Sequence, residues 1–131
     1  MLKVTKTIEY GLIAMRYINK QNNKLCSSKK IALKYHIPAE ILAKTMQKLC
    51  KRGYLRAIKG RKGGYLLNKN LNSIHLIDFI EDIEGPVGIV ECSIDTNCVL
   101  MDFCNIKSPI NKINENIKKI LNNVSLYEIT N

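Results

Sequence analysis

The sequence predicts a mainly α-helical chain broken by one small β-hairpin. Three observations lead there: apolar residues recur at three- and four-residue spacing, two β-prone runs flank a glycine-rich turn, and the last third returns to a helical stripe. With 131 residues, 46% of them hydrophobic, the chain can fill one domain core and is too apolar for a disordered tail. No run approaches ~18 consecutive apolar residues. The start Met1-Leu2-Lys3-Val4-Thr5-Lys6 lacks the apolar segment of a secretory signal, so a cytoplasmic protein with no membrane partner is expected.

After Thr7, Ile8, Leu12, Met15 and Ile18 keep helical spacing until Asn22-Asn23, which defines a first helix. Ser27 or Ser28 can cap a second, from Lys29 to Tyr35, that breaks at His36-Ile37. Pro38 opens a third helix where its missing N–H costs little, and Gly53 stops it. That helix directs Ile41, Leu42, Thr45, Met46 and Leu49 toward a core and leaves Glu40, Lys44, Lys48 and Lys51 outward. Two short helices joined by a tight turn make a helix-turn-helix. Tyr54-Leu55-Arg56-Ala57-Ile58 and Tyr65-Leu66-Leu67 then pair around the loop Lys59-Gly60-Arg61-Lys62-Gly63-Gly64. Three of the seven glycines sit in that loop, where they permit positive φ and a close approach to a phosphate or a groove floor. A plain solvated turn would look the same in isolation. Behind a helix-turn-helix, it becomes the wing of a winged helix, set to reach a minor groove while the third helix lies in the major one.

Asn72 or Ser73 can cap the next helix, in which Ile77, Ile80 and Ile83 form a stripe before Gly85-Pro86 ends it. A loop runs on to Ser108, a capping residue, and Pro109, a first helical residue. From there Ile110, Ile113, Ile117, Ile120 and Val124 are spaced three, four, three and four. This heptad stripe calls for a partner helix across a two-fold axis, hence a homodimer built on a long dimerisation helix; packing on its own domain is the alternative. The expected division is residues 1–84 as a winged helix-turn-helix DNA-binding domain with a connecting helix, 85–107 as a cysteine-containing loop, and 108–131 as dimerisation helix and tail.

Charge is segregated along the chain. Residues 1–70 carry 17 lysines and arginines against two acids, net +15; residues 71–131 carry four against nine, net −5, which together make the overall +10. Coding bias can enrich lysine but does not sort it by position. The basic half is suited to a polyanion, and double-stranded DNA is the expected partner.

Five cysteines, an odd number, argue against a disulfide framework in a reducing compartment. Cys26 and Cys50 read as small buried hydrophobes. Cys92, Cys98 and Cys104 form an even Cys-x5-Cys-x5-Cys series in the acidic half. Along a helix, six-residue steps of ~600° point the three thiols in different directions. In a strand, successive thiols would lie ~20 Å apart. The segment must therefore curl around something if the sulfurs act together. Three thiolates suit zinc or an iron–sulfur centre, and the usual zinc spacing of ~2 to 4 residues fits poorly. Three unrelated thiols are the plain alternative.

The order of helix-turn-helix, Gly60-Arg61-Lys62-Gly63-Gly64-Tyr65-Leu66-Leu67, Ile80-Glu81-Asp82-Ile83-Glu84-Gly85, Cys-x5-Cys-x5-Cys and a final helix resembles the bacterial iron–sulfur winged-helix transcriptional regulators, IscR-like and NsrR-like, over nearly the whole chain. The resemblance implies that Cys92, Cys98 and Cys104 ligate one iron–sulfur cluster per subunit, in a two-iron or four-iron form that aerobic preparation is expected to lose. It further implies that cluster state, through redox change or nitric oxide, switches DNA affinity. Lys107 stands where IscR-like members place a histidine. NsrR-like members take a carboxylate from near the start of the other subunit's first helix, and Glu9 occupies that place. Glu9 reads equally well as a favourable charge in a first helical turn. His75 is another ligand candidate, although it also fits a partly exposed helix residue.

For DNA, the third helix offers Glu40, Lys44 and Lys48, and the wing offers Lys59, Arg61 and Lys62. The cations would contact phosphates, and Glu40 could accept from cytosine. No catalytic motif is present, so an enzyme is not expected. A regulator that uses cysteine oxidation or zinc in place of a cluster is the alternative function.

Overall fold

Local capping chemistry sets where the helices begin. The computed structural model describes residues 4–89 and 104–130, which form six α-helices and one two-stranded antiparallel hairpin. Thr5 Oγ1 accepts from the Ile8 amide at 3.3 Å and starts α1, Lys6–Lys20. Ser27 Oγ accepts from the Lys30 amide at 3.2 Å and starts α2, Ser28–Tyr35. His36 ends α2 in the left-handed conformation, φ 55° and ψ 40°. Pro38 precedes α3, Ala39–Lys51, and contributes no side-chain cap.

The hairpin pairs β1, Leu55–Ile58, with β2, Gly64–Leu67, in the register Leu55↔Leu67 through Ile58↔Gly64. Cys26 joins this hairpin to the start of the helix-turn-helix through a two-way bridge with Tyr65, at 2.8 and 3.2 Å. The winged helix-turn-helix predicted from sequence is thus present, in a mainly helical chain.

Beyond the wing the boundaries differ from expectation. Asn70 caps a 3₁₀ turn, Leu71–Ser73, and α4, Leu76–Glu84, follows His75 without a side-chain cap. Neither Asn72 nor Ser73 is the cap, because both lie inside the 3₁₀ turn and His75 occupies the cap position of α4. Helix α5, Lys107–Asn122, starts ahead of Ser108. Val124 lies past its end, so the last residue of the predicted heptad stripe belongs to the connection between the last two helices. The predicted tail instead contains a short helix, α6, Leu126–Thr130. Leu76 N donates to Val124 O at 2.8 Å and Leu126 N to Ile74 O at 2.9 Å, which fasten α6 beside the start of α4.

One core results, drawn from α1 to α4, the hairpin and Leu126 of α6. Phe79 is fully buried and tilts against Tyr54 at 5.3 Å between ring centroids. Gly11 of α1 lies beneath it, where a Cβ would stand 3.2 Å from Phe79 Cζ. Ile41, predicted to face the core, is instead 43% exposed, at the margin of the α3 surface that packs. No helix among the described residues is long and apolar enough to cross a membrane.

Candidate functional site

Helix α3 buries Leu42, Thr45, Met46 and Leu49 and holds Glu40, Lys44 and Lys48 on its exposed side. Thr45 is buried without penalty because its Oγ1 donates back to Ile41 O at 2.8 Å. Gln47 also lies on that exposed side and was not singled out by sequence, since its polarity matches any solvated helix. Lys48, Lys51 and Arg52 line an open cleft of about 500 Å³ at the end of the helix. Lys59, Arg61 and Lys62 are all exposed at the wing tip. α2 adds exposed Lys29, Lys30 and Lys34, the last stacked over the Tyr17 and Tyr35 rings at 4.9 and 5.6 Å. The structure therefore brings helix and wing cations onto one head.

One wing glycine has the basis the sequence suggests, and the other two have a different one. Gly60 has a positive φ of 120° and open space around it. A Cβ on Gly63 would stand 2.1 Å from Ile58 O, and one on Gly64 would stand 2.8 Å from Cys26 O. Both glycines are required by the protein's own backbone, which must pass this closely to close the loop and to make the Cys26 bridge.

Lys48 is engaged within the molecule: its Nζ donates to Ile83 O near the end of α4. One turn of α4 gathers several such contacts. Tyr54 Oη donates to Asp82 Oδ2, Thr5 Oγ1 donates to Glu84 Oε1 at 2.8 Å, and Val87 N donates to Glu81 Oε2 at 3.2 Å. Burial, reinforced by the Asp82 carboxylate, pushes the Tyr54 phenol well above its ordinary pKa, so it remains a donor. Gly85, at φ 90°, then turns the chain off the helix toward the cysteine segment. Ile89 N donates to Oδ1 of the buried Asn114 of α5 at 3.1 Å.

Of the expected cluster ligands, Cys92 and Cys98 lie outside the described residues. Cys104 is half-buried just ahead of α5, and Glu9 is half-exposed in the first turn of α1, paired with Lys6 at 2.9 Å. Among the described residues of one chain, no group of three or more histidine, cysteine, aspartate or glutamate side chains is gathered as a metal site. His75 is exposed, and its backbone bridges Ser125. Cys26 is buried and Cys50 half-buried, and desolvation raises both thiol pKa values, as suits inert packing residues.

Helix α5 divides its apolar residues between two faces. Ile117 and Leu121 line an apolar cavity of about 410 Å³ shared with Ile8, Leu12 and Ile80. Ile106 just ahead of it, Ile113 and Ile120 recur every seven residues and are 57%, 49% and 65% exposed.

Comparison with known proteins agrees with this architecture. Over residues 4–131 the sequence matches the Rrf2 family, described as iron-dependent transcriptional regulators. The HTH-type transcriptional regulator NsrR of Bacillus licheniformis is 30% identical, over 98% of this chain and 92% of that protein. Among solved structures, CymR (YrzC), the global cysteine regulator of B. subtilis, superposes with a TM-score of 0.80 at 28% identity, covering 99% of this chain and 97% of that one. IscR of T. potens superposes with a TM-score of 0.74 at 25% identity, over 98% of this chain and 85% of that one. The likeness therefore runs along nearly the whole chain, and the chain belongs to the Rrf2 family of transcriptional regulators.

Proposed function

We propose that the chain acts as a homodimeric, iron–sulfur-cluster-dependent regulator that binds a palindromic DNA site and whose affinity follows the state of its cluster. The observation that carries this is Cys-x5-Cys-x5-Cys, standing between α4 and α5 in a member of a family of iron-dependent regulators. The donor set fits by its chemistry: Cys92, Cys98 and Cys104 would hold the cluster as soft thiolate ligands, and Glu9 of the other subunit would add a carboxylate. When bound, the cluster supplies a centre that reacts with oxidants or nitric oxide. The protein's part is to hold and to transmit. Asn114 fastens the entry to the cysteine segment, and Cys104 stands at its exit into α5. Residues 1–84 grip the duplex, 85–107 sense, and 108–131 pair the subunits through Ile113 and Ile120. Lys44, Lys59, Arg61 and Lys62 contact phosphates, and Glu40 reads a base edge.

The likeness to a global cysteine regulator favours a second reading, in which thiol oxidation or zinc replaces the cluster. Anaerobic reconstitution with iron and sulfide separates the two. The cluster reading expects visible absorbance with matching iron and sulfide counts, lost entirely in Cys98→Ala, and DNA affinity that changes when iron is stripped. Colourless protein whose DNA binding follows zinc or thiol oxidation would establish the second reading.

A further inference from the structure

The last turn of α4 carries more polar contacts than its packing requires. Ile77, Phe79 and Ile83 already bury this helix. Yet each residue from Glu81 to Glu84 also makes a hydrogen bond to a different part of the chain: Val87 ahead of the cysteine segment, Tyr54 before β1, Lys48 of α3, and Thr5 at the cap of α1. Ile83 O is among the carbonyls that a helix end leaves without an intrahelical partner, and an ammonium there is favoured by the helix dipole. The contacts that reach the DNA-reading elements come from Lys48 and Tyr54, 35 and 28 residues away in sequence. Immediately after this turn, Gly85 and the Ile89–Asn114 hydrogen bond lead the chain into the cysteines.

We infer that Lys48 and Tyr54 are positioning residues, which suspend the recognition helix and the root of the wing from the Glu81–Glu84 turn so that a change in the cysteine segment reaches the DNA-reading head through that turn. The inference rests on the cluster-dependent function proposed above. It assigns Lys48 an intramolecular role in place of a phosphate contact.

The test uses full-length protein and a 30-base-pair duplex of about three turns, recovered from a random pool by the wild-type dimer. Affinity is measured for anaerobically iron-loaded and iron-stripped forms of the wild type, Lys48→Met and Tyr54→Phe. Regulatory couplings commonly span about 5- to 150-fold, and the wild-type ratio is expected in that range, falling to within about 2-fold of unity in both variants. Visible absorbance and the salt dependence of binding should stay at wild-type levels. Tyr54→Phe retains the ring against Phe79; should it fail to fold, Lys48→Met decides alone because its side chain is exposed. A wild-type ratio persisting in Lys48→Met overturns the inference. So does a salt slope lower by about 0.9 with the ratio intact, the mark of a lost phosphate contact. A ratio of one in the wild type removes the cluster-dependent reading and this inference together.

Discussion

At the residue scale, the informative side chains are those whose partners lie far away in sequence. Gly64 is the clearest case. An alanine there would press its Cβ to 2.8, 2.9 and 3.0 Å from Cys26 O, C and N, all backbone atoms that cannot swing aside. We expect Gly64→Ala to cost about 1–3 kcal/mol, the range of overpacked sites, and to lower the melting temperature by several degrees. An unchanged melt would show that the Cys26 bridge does not constrain the wing. Glycine in this loop was legible as a requirement, but its cause only in part: the expected positive φ holds at Gly60, whereas Gly63 and Gly64 answer to Ile58 and Cys26. Lys48 carries the same lesson, since a lysine on an exposed helix face reads as a groove contact until Ile83 O is found beside its ammonium.

At the scale of elements, helical period and turn chemistry located α1, α2, α3 and the hairpin to within a few residues of their observed ends. These elements are amphipathic, or bounded by strong breakers, so the local pattern and the packing agree. The pattern was less complete where the chain folds back on itself. Helix α6 is only five residues long and is held by backbone bonds to Ile74 and Leu76, which leave no periodic trace. For the wing, the exposed Lys62 provides a direct check. Lys62→Ala should weaken binding by a similar factor on specific and unrelated duplexes and reduce the salt slope by about 0.9. Titrations at several salt concentrations read this out, and an unchanged slope would remove Lys62 from the interface.

At the scale of the whole molecule, the two faces of α5 matter most. The inner face, with Ile117, Leu121 and the buried Asn114, serves the chain's own packing. The outer face leaves Ile113 and Ile120 at a heptad interval with large exposure, as a helix seam between two copies would require. The paired substitution Ile113→Asp with Ile120→Asp should halve the mass measured by sedimentation while leaving the helical circular dichroism unchanged. Binding to a palindromic duplex should fall toward that of a single half-site. Retention of the dimer would place its interface elsewhere on the molecule.

Taken alone, the sequence determined that α1 to α5 and the hairpin form, that cationic charge is concentrated in the winged head, and that three evenly spaced thiols follow it, because period, turn residues and charge are properties of neighbouring positions. Only the tertiary structure decided that Lys48 and Tyr54 meet the end of α4, that Gly64 gives way to Cys26, and that the stripe on α5 is divided between core and surface. Those outcomes depend on contacts between residues 28 to 39 positions apart, or on how one helix rotates against its neighbours. Packing in three dimensions sets such contacts, and no local period in the chain records them.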